Sequence, residues 1–303
     1  MKRRIRAMAL LAALTLLCGC GKKEAQPQQE DMAVNIVPVE GVTALELCDG
    51  EVTLRFARTD DTWHWVDDGT FPLDQDAVAA LLALPSSLAA AEPVQGQGEL
   101  SGYGLETPKK YVTATADGAD STIYVGSQTS DGRWYVLTPD GVVRLAAQAD
   151  GEALSRSIYD MAVLPELPAI TEENLISLTL TGAEGKQVTF SVDESGVRRS
   201  GARDVTEKTA SLVDELGKLA VTACVDYDPA DGAAAVCGLD APEAILAVNY
   251  VNAHGGDGAL TLTVGGSTGD GGRYVTLNGD ATIYRMEETG LAQVLTLAAL
   301  GLS

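Results

Sequence analysis

The chain has 303 residues and a formal net charge of −22, because 43 Asp and Glu outnumber 21 Lys and Arg. Such acidity argues against nucleic acid as a partner, since phosphates require a basic surface. It also opposes adsorption to anionic lipid headgroups, and it suits an exported protein that must stay soluble.

The first 19 residues have the layout of a secretory signal. Basic residues at positions 2–6 precede an apolar stretch, residues 7–17, which is shorter than the ~20 residues that span a bilayer. The stretch ends in Leu17-Cys18-Gly19-Cys20, which resembles the bacterial lipobox. We therefore expect cleavage before Cys20 and a diacylglyceryl anchor on its thiol. The alternatives are an ordinary signal peptide, a short membrane anchor, or acylation at Cys18, which the large Leu17 before it disfavours.

Residues 20–42 are polar, contain Pro27 and lack periodicity, so they are predicted to be a flexible, lipid-anchored tether. The folded part would then lie in water at the extracytoplasmic face of the cell membrane. Cleavage removes four basic residues and shifts the net charge from −22 to −26.

Three cysteines remain besides Cys20 in the mature chain, and their spacing fits neither a metal site nor a redox pair. Cys224 and Cys237 could form a disulfide across one loop, whereas buried free cysteines are also common. The sequence leaves this choice open.

An internal repeat is the most informative feature of the chain. Gly104-Leu105-Glu106-Thr107-Pro108 recurs as Gly238-Leu239-Asp240-Ala241-Pro242, with its surroundings in the same order. In each block we expect the glycine to adopt an unusual backbone angle, the leucine to be buried and the proline to fix φ before a strand begins. The role predicted for these six residues, Gly104, Leu105, Pro108, Gly238, Leu239 and Pro242, is therefore structural.

Each repeat is predicted to contain strands, a helix, further strands and a closing helix. Apolar residues alternate along the strands, as in Leu260–Val264, and two helices are expected over 74–84 and 206–219, with Asp74 and Thr206 as N-caps. Asp-Gly and Asn-Gly pairs between strands are typical of tight hairpins, and they occur at Asp117-Gly118, Asp131-Gly132, Asp140-Gly141 and Asn278-Gly279.

Hairpins grouped between helices favour an α+β fold made of two tandem homologous units, each an antiparallel sheet packed with one or two helices. Two prolines in Leu164–Pro168 prevent a helix from continuing and mark the boundary between the repeats. We place the first unit at residues 43–165 and the second at 170–303.

The repeated block, followed by alternating strands, a Val-Gly pair, an Asp-Gly turn and a Tyr-Val strand, resembles the DUF4340 family. The resemblance covers residues of about 43 to 300. It implies a duplicated bacterial domain of unknown function, often found in lipoproteins and encoded beside components of ABC-type transporters. The family offers no catalytic residues to carry over. The second unit departs from the pattern by having Cys237 where the first has Tyr103.

No catalytic or metal site is predicted. Gly265–Gly269 matches the G-x-S-x-G pattern around Ser267, but a second strand is expected after it where a nucleophile elbow requires a helix. His64 and His254 lie in different units without metal-ligand spacing, and the Asp-Gly turns lack the ligands of a calcium loop. The sequence therefore predicts no enzyme activity, no cofactor and no metal.

Aromatic residues concentrate in the first unit, which holds all three tryptophans. Trp63 and Trp65 are expected on one strand face by their spacing of two. Trp63, Trp65, Trp134 and Tyr135 are the candidates for contact with a ligand or partner, although large aromatic residues are also typical of a core.

The leading functional expectation is a non-catalytic binding or scaffolding lipoprotein that serves an ABC-type transporter or another envelope machine. The alternative is a module that binds cell-wall carbohydrate or peptidoglycan through the first-unit aromatics, and the lesser alternative is an envelope hydrolase. The expected partners are the membrane, through the lipid, and envelope proteins.

Overall fold

The structure is a computed structural model, and it describes residues 36–302 apart from Val39. These residues belong to one compact unit that contains two antiparallel sheets. The predicted signal peptide, Cys20 and most of the predicted tether lie outside the described residues. No helix among the described residues has both the length and the hydrophobicity to cross a bilayer.

The first sheet has eight strands in the order β3-β2-β1-β5-β6-β7-β8-β4. Their bounds are β1 Val42–Asp49, β2 Thr53–Thr59, β3 Thr62–Trp65, β4 Glu92–Pro93, β5 Lys110–Ala116, β6 Ala119–Gln128, β7 Trp134–Leu137 and β8 Val143–Ala146. Helices α1 Gln75–Leu82 and α2 Leu84–Ala89 connect β3 to β4, and α3 Gln148–Glu152 follows β8.

The second sheet has nine strands in the order β12-β11-β10-β9-β14-β15-β16-β17-β13. Their bounds are β9 Leu175–Gly182, β10 Gln187–Val192, β11 Arg198–Ser200, β12 Arg203–Asp204, β13 Val221–Asp226, β14 Ala244–Val251, β15 Asp257–Ser267, β16 Gly272–Leu277 and β17 Ile283–Glu287. Its helices are α4 Ala210–Leu216, α5 Ala233–Val236 and α6 Ala292–Leu300.

The two sheets follow one topology. Counted along each half, the strands adjoin in the same order, and β12 is an addition at the edge of the second sheet. A helical segment precedes the last-placed strand of each sheet, and another follows β8 and β17. The predicted α+β fold with antiparallel sheets is therefore confirmed, and the shared order makes two tandem units plausible.

The hairpin turns lie where the sequence predicts them. Asp117 and Gly118 have φ of +52° and +76°, and Asn278 and Gly279 have +54° and +78°, the two consecutive positive angles of a type I′ turn. The other two pairs differ, because only their glycines, Gly132 and Gly141, have positive φ.

Of the two predicted N-caps, one forms as the sequence predicts and the other does not. Asp74 caps α1, since its carboxylate accepts from the backbone N–H groups of Asp76 and Ala77. Thr206 does occupy the position before the helical segment, but its side chain does not cap it: its hydroxyl accepts from the backbone N–H of Arg198, 3.0 Å away, and its own backbone is already helical. The competing donor, the backbone N–H of Arg198, belongs to a neighbouring strand, and the local sequence does not reveal this pairing.

The buried side chains form one core beneath each sheet, and the first core extends to Cys224 of β13. Phe71 lies at this junction and packs edge-to-face against Tyr227, with ring centroids 5.3 Å apart. The Tyr227 hydroxyl donates to the Thr70 carbonyl oxygen at 3.2 Å, and the Tyr159 hydroxyl donates to Asp226 at 3.1 Å. Residues of both halves therefore share one packed junction.

Candidate functional site

The repeated Gly-Leu-x-x-Pro block folds over the outward face of each sheet. Gly104 and Gly238 both have φ of +69°, the left-handed conformation that glycine adopts without strain. Leu105 is 2% exposed, as predicted, whereas Leu239 is only half-buried. Each leucine packs on a strand glycine, Gly126 or Gly265, that leaves space for it. The block therefore fixes a loop on the sheet.

The three tryptophans belong to the core of the first half. Trp63 is 7% exposed, and Trp65 and Trp134 pack against the same core with their indole N–H groups buried and unpartnered. Trp65 lies edge-on to Phe71 at 5.5 Å. These residues are not brought together as an exposed stacking surface.

Four tyrosines lie together on the outward side of the first sheet, and we call this surface the tyrosine face: Tyr103, Tyr111, Tyr124 and Tyr135. Tyr111 and Tyr124 are direct partners across β5 and β6, with ring centroids 6.4 Å apart. The rings of Tyr103 and Tyr135 contact each other at a tilt of 51°, with their centroids 4.8 Å apart. Only Tyr135 was among the candidates from sequence. Tyr124 could have been found, because it alternates with the buried residues Ile123 and Val125.

The second sheet shows what the fold itself requires at these positions. Since Val125 pairs with Val136 as Val264 pairs with Val275, equivalent residues follow from the register. The counterparts of the four tyrosines are Cys237, Ile245, Thr263 and Tyr274, in the same order. Three of the four tyrosines are thus dispensable for the topology, and their presence in the first half calls for a reason other than folding.

A depression of about 290 Å³ adjoins the tyrosine face. Its polar lining comes from Glu46, Arg55, Asp120 and the threonines Thr113, Thr115 and Thr122. The hydroxyls of Thr113 and Thr122 are 2.8 Å apart, and the Thr115 hydroxyl donates to Asp120 at 2.6 Å.

Glu46 joins the depression to the tyrosines, because its carboxylate accepts from the Tyr111 hydroxyl at 2.5 Å. That hydrogen bond and burial raise the pKa of Tyr111, so the hydroxyl stays protonated and remains a donor to Glu46.

The corresponding outward side of the second sheet carries one charge, Asp257 at the start of β15, and we call it the threonine face. Glu46, Arg55 and Asp120 are replaced there by Thr179, Thr189 and Ala259. Its outward positions from β10 to β16 are Ser177, Thr179, Thr181, Gln187, Thr189, Ser191, Ile245, Ala247, Asn249, Val251, Asp257, Ala259, Thr261, Thr263, Tyr274 and Thr276. In a chain of net charge −22, a single charge among sixteen outward positions distinguishes this surface.

The cysteines of the described residues are free thiols. Cys224 is buried, and desolvation raises its thiol pKa to about 11, with a smaller contribution from the carboxylate of Asp226. Burial and Asp226 also raise the pKa of Cys237. The structure thus has no bridge between Cys224 and Cys237.

Ser267 lies in a hairpin, as expected from its context. Strand β15 ends at this residue and β16 begins five residues later, so no helix follows the G-x-S-x-G pattern. The Ser267 hydroxyl accepts from the backbone N–H of Gly269. Among the described residues, no group of three or more His, Cys, Asp or Glu is arranged to hold a metal ion.

A larger cavity, about 630 Å³, lies beside α4, but each of its three charged lining residues, Glu172, Asp214 and Lys218, is already in an ion pair. Lys218 contacts Asp214 at 2.6 Å, and Glu172 binds the buried Arg198 at 2.9 Å. We therefore favour the two sheet faces as candidate binding surfaces.

A family model described as a domain of unknown function, DUF4340, matches residues 63–232 and 202–298. No curated protein and no solved structure matches the chain.

Proposed function

The chain belongs to the DUF4340 family, and from that premise we propose that it is a non-catalytic scaffolding protein of the bacterial cell envelope. It binds a protein component of a membrane machine, such as an ABC-type transporter, at the extracytoplasmic face of the membrane. The observation that carries the proposal is the divergence of two outward faces on one topology. Residues that the shared fold does not require distinguish these faces.

The threonine face has the composition of a protein-binding surface. The centres of protein interfaces are depleted of charged residues, because each charge must be desolvated when the partner docks. Thr179, Thr189 and Ala259 replace the three charged residues of the first half. Ile245 and Val251, each more than a third exposed, add apolar surface to this face. The one charge of the face, Asp257, lies at the exposed start of β15, so a partner can cover the centre of the face without leaving an unpaired charge.

The membrane tether is part of the same proposal. The lipobox at Cys20 supports a diacylglyceryl anchor, which holds the folded part beside the membrane despite its negative charge. A Cys20→Ala variant is expected to leave the membrane fraction. Retention of this variant in membranes would contradict the anchor.

Co-purification from detergent-solubilised membranes tests the protein partner. Thr179→Glu places a charge on the threonine face, and the fold accepts it because Glu46 occupies the equivalent position of the first sheet. The wild type is expected to recover the same membrane protein reproducibly, and Thr179→Glu to lose it. Ser195→Glu adds the same charge in the exposed β10–β11 turn and serves as the matched control. Recovery of the lipoprotein alone, or equal recovery by Thr179→Glu, would contradict the proposal.

A second candidate function, cell-wall carbohydrate binding, is favoured by the tyrosine face and its adjoining depression. The aromatic residues concerned are Tyr103, Tyr111, Tyr124 and Tyr135, rather than the tryptophans. No observation among the described residues favours an envelope hydrolase.

A further inference from the structure

We propose that the depression beside the tyrosine face is a binding subsite for an uncharged saccharide chain. This inference rests on the proposed non-catalytic binding function and names the ligand of the first sheet. The two sheets would then serve different ligands, a saccharide on the first and a protein on the second.

The lining of the depression offers both halves of the hydrogen-bonding pattern that sugar hydroxyls need. Neighbouring hydroxyls of a sugar ring each donate and accept, so planar groups that bridge two of them recognise the pair. Arg55 supplies a fork of donors, Asp120 supplies the carboxylate oxygen that does not accept from Thr115, and the Thr113–Thr122 pair keeps one free donor and free acceptors. Arg55 is held loosely, since its contact to Asp67 is 3.9 Å and half of its side chain is exposed.

The size of the depression sets the size of the ligand portion. Pockets for drug-sized ligands enclose roughly 300–1,000 Å³, and this depression encloses about 290 Å³. It suits one or two sugar rings of a chain whose remaining rings extend over the sheet. Tyr111 and Tyr124 lie on the sheet beside the depression, and Tyr124 is 38% exposed.

Tyrosine rings suit the apolar faces of sugar rings, and they are ordered at little entropic cost. Each ring has an apolar body with a polar tip and only two side-chain torsions to fix. The bond from the Tyr111 hydroxyl to Glu46 at 2.5 Å holds that ring before a ligand arrives. A preorganised platform loses less entropy on binding.

Charge excludes the anionic polymers of the envelope from this subsite. The depression has two carboxylates, Glu46 and Asp120, against one guanidinium, Arg55, and the whole chain has a net charge of −22. The resulting field repels phosphate- or carboxylate-rich chains. An uncharged saccharide meets no such barrier.

The second half of the chain supplies the variants for the test. Tyr124→Thr and Arg55→Thr introduce the residues that the second sheet has at the equivalent positions, Thr263 and Thr189, so both variants are expected to fold. Val236→Thr replaces an exposed apolar side chain on α5, in the second half of the chain and outside the lining of the depression, and serves as the control.

The experiment screens the full chain, with its anchor in detergent, on an array of uncharged oligosaccharides that includes chitohexaose, alongside anionic polygalacturonate. Titration calorimetry then measures the best ligand. We expect an uncharged chain to bind, polygalacturonate not to bind, and each of the two variants to weaken the dissociation constant about tenfold, equivalent to about 1.4 kcal/mol. Val236→Thr should bind like the wild type.

Three outcomes would overturn the subsite: no binding by any uncharged oligosaccharide, preference for polygalacturonate, or binding that Tyr124→Thr and Arg55→Thr leave unchanged. Each leaves the protein partner of the threonine face unaffected, because its recovery is measured separately with Thr179→Glu. If the wild type recovers no membrane protein but still binds the saccharide, the scaffolding function alone is contradicted.

Discussion

The carbonyl oxygen of Tyr103 lies so close to Gly126 that a Cβ added to that glycine would come within 3.0 Å of it. The same contact recurs between Cys237 and Gly265 in the second half. It explains why both copies keep a Val-Gly pair at the end of a strand. The glycine of β6 or β15 admits the loop that carries the repeated block.

Gly126→Ala and Gly265→Ala are therefore expected to destabilise the fold. The added methyl group must displace backbone, and overpacking of this kind costs about 1–3 kcal/mol. Urea denaturation measures the loss as a lower midpoint. Gly290→Ala is the control, since a Cβ at that position meets no atom within 4 Å. Equal midpoints for Gly126→Ala and Gly290→Ala would refute the close contact.

Glu215 of α4 caps the N-terminal end of the last helix. Its carboxylate accepts from the backbone N–H groups of Gln293 and Val294 at 2.8–3.0 Å. Glu215→Ala leaves these donors without their acceptor and is expected to lower the free energy of unfolding by about 1–2 kcal/mol. Thermal or urea unfolding measures the change, with Asp214→Ala, an exposed neighbour, as the control. A similar loss in both variants would contradict the cap.

The same carboxyl group makes stability depend on pH. Burial raises the pKa of Glu215 above its ordinary value of 4.5, against the opposing effect of the backbone hydrogen bonds. A raised folded-state pKa stabilises the fold below the unfolded value and loses that contribution as pH rises through the folded one. Relative to Glu215→Gln, which does not titrate, the wild type should therefore become less stable as pH rises from below 4.5. A constant difference between the two unfolding curves would contradict this.

The junction between the halves predicts a single unfolding transition. Phe71 is 6% exposed and contacts Tyr227, which also donates to Thr70. Phe71→Ala is expected to cost about 3–5 kcal/mol and to separate the unfolding of the first half from that of the second. Scanning calorimetry records the number of transitions. Two transitions already in the wild type would show that the halves are not coupled.

Cys224 is expected to be the last of the three described cysteines to react with iodoacetamide. It is buried, and its thiol pKa of about 11 leaves little thiolate at neutral pH. Mass spectrometry of the native protein over time gives the order of modification. Rapid alkylation of Cys224, or a mass that rises on reduction, would contradict a buried free thiol.

Local features of the chain could be predicted from the sequence, since the same residues produce them in any context. Asp117-Gly118 and Asn278-Gly279 adopt the expected turn angles, and Asp74 caps its helix. Long-range competition could not be predicted. The hydroxyl of Thr206 serves the N–H of Arg198, a residue of an adjacent strand, and so it is lost to the helix.

The candidate surfaces were only partly visible in the sequence. Trp63 and Trp65 do share a strand face, but it is the face turned to the core. The alternation that buries Ile123 and Val125 puts Tyr124 outside, yet Tyr111 joins it only through strand register. The contrast between the two faces could be recognised only by comparing the strand registers of both sheets.

The most direct test of the scaffolding function is photo-crosslinking in intact cells, with a benzophenone side chain at Thr261 on the threonine face. The wild-type background is expected to give one reproducible crosslink to a membrane protein, which Thr179→Glu removes, while a probe at Ser195 gives none. Crosslinks at Thr261 that match those at Ser195, or that persist with Thr179→Glu, would contradict the account.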